Sequence, residues 1–220
     1  MGFLGYQKDE IREYNDKRCC GLWFIIIGVV IIVSAIFGGE QKIHPIIFTV
    51  GFIVGFYLSV INKKVVTKLS YGKSSKFQNN MAIFSIAILF PLMFVLAGSF
   101  FPMQNWRMIW LMTFLAVGIH FIPFYFVHGI SMIGIAILCS ANAIIGIFLP
   151  IIPFIVLAFI DGLIKIGFGM FVAVLLLLNI KQLVRTDWEH FSLLENGLTL
   201  STYNFITILI ATGVCALVAF

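Results

Sequence analysis

Residues 154–180 read Phe154-Ile-Val-Leu-Ala-Phe-Ile-Asp161-Gly-Leu-Ile-Lys165-Ile-Gly-Phe-Gly-Met-Phe-Val-Ala-Val-Leu-Leu-Leu-Leu-Asn-Ile180. The stretch is longer than the roughly 20 apolar residues that cross a bilayer as a helix. It follows a Pro150-Ile-Ile-Pro153 stop, and its only charges are Asp161 and Lys165. A helix is the form that satisfies every backbone group within one apolar segment. The stretch therefore predicts a membrane span with an acid and a base inside it.

Six more segments repeat the pattern, giving expected spans at about 20–37, 46–62, 81–101, 108–127, 130–149, 154–180 and 203–220. Glycines 38 and 39, Pro45, Asn62-Lys63-Lys64 and Pro102 supply the breaks. Across all 220 residues, 61% are apolar and only 10% charged, with a mean hydropathy of +1.10. Soluble domains carry about 25% charge. A soluble globule and a disordered chain are excluded, as is an outer-membrane barrel, whose strands alternate polar and apolar residues. The expected fold is an all-α, polytopic transmembrane bundle of about seven spans. Residues 1–19 form a cytoplasmic N-terminal segment and 20–220 a single transmembrane domain.

Cytoplasmic loops are enriched in Lys and Arg. Lys8, Arg12, Lys17 and Arg18 precede the first span, and Lys63, Lys64, Lys68, Lys73 and Lys76 separate the second from the third. Lys181 and Arg185 precede the last. With seven spans these eleven of the fourteen basic residues share one side, against Lys42 and Arg107 on the other. The N-terminus is expected in the cytoplasm and the C-terminus outside, opposite to the G-protein-coupled receptor arrangement. The net charge of +5 then needs no nucleic acid; its expected partner is a bilayer with anionic headgroups at the inner face. Polar residues ahead of the first span predict an uncleaved anchor in the cell (plasma) membrane.

Charges inside lipid cost about 2.5–3.5 kcal/mol each on insertion scales. Asp161 and Lys165 are four apart, so they share a helical face, acid first, which is the favourable order. At 1.5 Å per residue they lie roughly 10 and 16 Å from the outer start of their span. By the same rise, His120 in the fourth span lies roughly 18 Å deep and Asn142 in the fifth roughly 10 Å. Pro123 loosens the backbone ladder beside His120. The fourth, fifth and sixth spans are therefore expected to face one another around Asp161, Lys165, His120 and Asn142.

Two readings of this cluster stand side by side. It lines a site that binds or passes a small solute or ion, with Asp161 as the titrating or ligand-binding carboxylate. Alternatively it is a closed ion pair that locks the helices of a non-catalytic accessory, immunity-type or scaffold protein. No metalloprotease, nucleophile-elbow or phosphate-loop pattern occurs, so no catalytic residue, metal or cofactor is expected. Cys139 and Cys215 read as small apolar fillers within spans, and Cys19-Cys20 as reduced thiols at the inner face. His44 reads as a solvated helix-start residue, His128 as a surface residue at a turn. Gly51 and Gly55, and Gly169 with Ala173, mark close helix contacts. Trp188, Phe191 and Leu194 suggest a short amphipathic helix before the last span.

Several stretches carry a resemblance: Cys20-Gly-Leu-Trp23, Ser70-Tyr-Gly-Lys73 with Ser75-Lys-Phe-Gln-Asn79, Trp106-Arg-Met-Ile-Trp110, Gly118-Ile-His-Phe-Ile-Pro-Phe124 with Val127-His-Gly129, and Asp161-Gly-Leu-Ile-Lys165. Over roughly residues 19–181 the chain resembles a family of small multi-pass membrane proteins of Gram-positive bacteria, a domain of unknown function. The resemblance implies a bacterial plasma-membrane setting and carries no activity, ligand or site residue.

Overall fold

Four of the helices start where a polar side chain takes up orphan backbone donors of the first turn. The computed structural model describes residues 17–70 and 74–177. Within them α1 spans Lys17–Ile36 and α2 spans Pro45–Phe56, with Pro45 in the first turn and His44 Nδ1 accepting from the Ile47 amide. A π turn, Tyr57–Ile61, extends α2 before Asn62 caps α3, Lys63–Leu69. A reciprocal Ser75–Gln78 capping box opens α4, Lys76–Ala97. Asn105 Oδ1 accepts from Met108 N at the start of α5, Trp106–His128. Then follow α6, Ser131–Phe148, and α7, Phe154–Leu177.

All elements among the described residues are helical. Five helices are long and apolar enough to cross a membrane: α1, α4 with its 3-10 extension to Phe100, α5, α6 and α7. The expected second span reaches that size only if α2 and its π turn are joined to α3, from which they bend by 57°. The expected seventh span (203–220), the amphipathic helix near Trp188 and the residues before Lys17 lie outside the described residues. Between the second and third expected spans the chain is helical over Lys63–Leu69 and again from Lys76, because Asn62 and Ser75 each cap a helix there. Pro91 and Pro123 both sit inside continuous helices.

The helices pack in the spatial order α4, α5, α6, α7, α1, α2. The most extensive contact is the antiparallel one between α1 and α7. Its basis is four glycines at seven-residue spacing. Gly28 faces Gly162, and Gly21 faces Gly169, so close that a Cβ on Gly28 or on Gly169 would lie 2.5 Å from the opposing carbonyl oxygen. Lipid supplies no hydrophobic drive for helix association, and small residues that admit backbone-to-backbone contact replace it. Gly51 and Gly55 do the same for α2, receiving Val30 and Ile26 of α1. Hydroxyls on the apolar helices are satisfied by donating to the carbonyl four residues back: Ser34 to Val30, Ser59 to Gly55, Ser85 to Met81 and Thr113 to Ile109.

Side-chain bridges fix the two ends. Trp110 Nε1 donates to Gln41 O between α1 and α2, and Arg107 reaches the α6–α7 connection, so these links share one end. Phe77 at the start of α4 meets Phe126 near the end of α5 at the other. That other end carries Lys17, Arg18, Lys63, Lys64, Lys68 and Lys76 with no acid among the described residues. The opposite end has Lys42 and Arg107 beside Glu40.

Candidate functional site

Where α7 passes α6 and α5, its apolar face is interrupted. Asp161 and Lys165 are respectively 0% and 2% exposed. Lys165 Nζ donates to Asp161 Oδ2 across one turn of α7, as four-residue spacing allows. The ammonium also approaches Cys139 Sγ of α6 at 3.6 Å and stands 5.8 Å from the centre of the Phe114 ring of α5. Three helices thus contribute to its surroundings: a carboxylate, a thiol and the negative face of an aromatic ring. Asp161 Oδ1 is buried with no hydrogen-bond partner among the described residues.

Asn142 is buried on α6, and its Nδ2 donates to Leu157 O at 2.9 Å. Leu157 precedes Asp161 by one helical turn, so the amide sits beside the pair and ties α6 to the α7 backbone. His120 is buried on α5. Its Nδ1 donates to Val117 O of its own helix. Its ring packs on Phe121 at 4.3 Å and meets Phe124 edge-on at 5.6 Å. Among the described residues His120 makes no hydrogen bond to Asp161, Lys165 or Asn142. The structure therefore brings Asp161 and Lys165 into contact, sets Asn142 one turn away, and leaves His120 bonded within α5. Ser140 lies against Gly118, at the α5–α6 contact.

Three residues differ from their sequence reading. Cys139, read as filler, is the nearest group of α6 to the Lys165 ammonium; a thiol's small size hides such a contact in sequence. His128, read as a surface residue, is buried and stacks on Phe124 at 5.7 Å, because the α5–α6 turn is closed by Gly129 at φ 86° and folds back onto the bundle. Arg107 was not singled out as a structural group. Its guanidinium donates to Ile152 O at 2.9 Å, Gly146 O at 2.8 Å and Leu149 O at 3.4 Å, clamping the end of α6 and the approach to α7. A cation on the end otherwise poor in them was the available signal. Cations at a helix C-terminus are favoured by the carbonyls left without helical donors. Among the described residues, no three His, Cys, Asp or Glu side chains converge to hold a metal ion.

Residues 7–183 match the family of unknown function DUF6609. The chain belongs to that family. The match covers the whole polar cluster and every helix described above, and reaches further towards the N-terminus than the resemblance read from sequence. No curated protein and no solved structure matches the chain.

Proposed function

We propose that the chain is a non-catalytic multi-pass protein of the plasma membrane, accessory or scaffold in kind, and that its intramembrane ion pair is a structural lock. The observation that carries this reading is the closure of the pair. Both charges come from one helix, the ammonium donates to Asp161 Oδ2, and both side chains are buried. A carrier needs its charged group to exchange partners with solvent or solute. Here the ammonium is enclosed by a carboxylate, a thiol and a ring, and the neighbouring amide is spent on a backbone carbonyl. The N-terminus lies in the cytoplasm and the C-terminus outside, with about seven crossings. The concentration of lysines and arginines at one end of the bundle supports that orientation. An impermeant thiol reagent applied to intact cells should label Lys42→Cys and spare Lys64→Cys; the reverse pattern inverts the topology.

A second reading has one specific observation in its favour: Asp161 Oδ1 has no hydrogen-bond partner among the described residues. A buried carboxylate oxygen with a free lone pair can accept from a proton carrier or a small cationic solute, and intramembrane acids commonly serve such roles. Proteoliposomes loaded with a pH-sensitive dye separate the two. For a lock, the parent protein, the Asp161→Asn/Lys165→Met double variant and empty vesicles acidify at the same rate. Proton entry through the parent alone, abolished in the double variant, would establish the second reading and remove the first.

A further inference from the structure

At the basic end, α2 leaves its apolar course through the π turn, and α3 sets off at 57° to it. The bend divides α3 into two faces. Val65, Val66 and Leu69 are half-buried, and the helix packs against α1 and the π turn. Lys63, Lys64, Thr67 and Lys68 are exposed. Lys64 and Lys68 are four residues apart, as are Lys63 and Thr67, so the three cations and a hydroxyl form one compact outward patch. Exposed Lys76 at the start of α4 adds to the same end, which has no acid among the described residues. Among the described residues the opposite end offers nothing comparable: Arg107 is consumed by three carbonyls, and Lys42 is accompanied by Glu40.

Position gives this patch its meaning. It begins immediately after a helix whose residues Ile53, Val54, Tyr57, Leu58, Val60 and Ile61 are exposed and apolar, the surface that lipid tails cover. The lysines therefore stand at the depth where tails give way to phosphates. The apolar face of α3 is already occupied by the bundle, so α3 has no free hydrophobic face with which to insert. What it presents outward is charge on a short helix seated against its neighbours.

We infer that α3 is a seat for the headgroups of anionic phospholipids, with Lys63, Lys64 and Lys68 as the phosphate-binding residues and the Thr67 hydroxyl as an added donor. This rests on the membrane reading above, and is independent of the orientation and of the role of the ion pair.

The test uses the full chain in a neutral detergent, with phosphatidylglycerol or phosphatidylcholine added and bound lipid counted by native mass spectrometry. The parent should retain phosphatidylglycerol in preference to phosphatidylcholine, and retention should fall as salt is raised. A lysine near an anionic surface is worth about fivefold in affinity, so Lys64→Gln/Lys68→Gln should weaken phosphatidylglycerol binding about thirtyfold. Lys42→Gln, which removes one charge at the opposite end, should change it less than about twofold by the same reasoning. The inference is overturned if the double variant holds phosphatidylglycerol like the parent, if both lipids bind equally, or if the parent's preference ignores salt. Because detergent exposes both ends, a negative result here leaves the topology and the lock standing. Conversely, proton entry in the vesicle assay would leave the headgroup seat untouched.

Discussion

α7 is held on its two sides by opposite means. Towards α1 it presents Gly162 and Gly169, and the two backbones close together at the glycines. Towards α6 and α5 it presents Leu157 O, Asp161 and Lys165, and contact is made through a hydrogen bond, an ion pair and a thiol. The glycine seam gains from dispersion over a long, close contact, and is indifferent to the chemistry of the residues beyond their size. The polar seam gains little net energy from its charges, since desolvation consumes much of their attraction, but it tolerates only one arrangement. The comparison suggests a division of labour: one side provides adhesion and the other fixes register.

The largest effect should come from breaking the polar seam on one side only. Asp161→Asn strands the Lys165 ammonium, and Lys165→Met strands the carboxylate. Each should destabilise the bundle by about 3–5 kcal/mol, the cost of an uncompensated buried charge. The double variant should recover most of that loss, because no charge is then left in the interior. Reversible unfolding in mixed micelles, followed by tryptophan fluorescence, reads all three. A double variant as unstable as the worse single variant would mean that the pair contributes energy of its own, beyond fixing register.

An intermediate effect is expected at the glycine seam. A methyl added at Gly28 would lie 2.5 Å from Gly162 O and 2.7 Å from Ile166 Cγ1, so the helices must separate. Gly28→Ala should cost about 1–3 kcal/mol, the range for overpacking. Gly162→Ala should do the same from the other side. The two together should cost less than their sum, because one separation accommodates both methyls. Additive losses would show that the two glycines yield independently, which the shared contact does not allow.

This contrast was unevenly legible in the sequence. Asp161 and Lys165 could be paired because four-residue spacing is a local relation, and the long apolar helices were legible because hydropathy is a sum over neighbours in the chain. Gly169 is legible as a close-contact residue, and it does meet Gly21; its place in a seam with Gly21, Gly28 and Gly162 is not, although the seven-residue spacing is written twice. Nothing local says that residues so distant in the chain will meet, and small residues four apart point to Gly51, Gly55 and Gly169 without naming their partners. The break at Asn62-Lys63-Lys64 is legible, but not that Asn62 caps a further helix there, because a polar stop and a polar cap look alike in sequence. Depth arithmetic placed Asn142 beside the pair, and Asn142 does sit one turn from Asp161. The same arithmetic could not say where a side chain bonds, and so gave no sign that His120 donates to Val117 O within α5.

The smallest effect should come from Asn142→Leu, and its size separates the two uses of the polar seam most finely. The Asn142 amide donates to Leu157 O, but that carbonyl lies four residues before Asp161 and keeps its helical donor when the amide is removed. No acceptor is orphaned, and leucine fills a similar volume with apolar atoms. The expected loss is about 0.6 kcal/mol, the average measured for side-chain hydrogen bonds between membrane helices. A register function predicts something else besides. With the amide gone and the ion pair intact, α6 remains fixed against α7 by the Cys139–Lys165 contact, and a disulfide engineered across the seam should form at an unchanged rate. With both Asn142 and the pair replaced, that rate should fall while the glycine seam keeps α1 and α7 together. If Asn142→Leu alone costs several kcal/mol, the amide is holding more than a carbonyl, and the division between adhesion on one side and register on the other gives way.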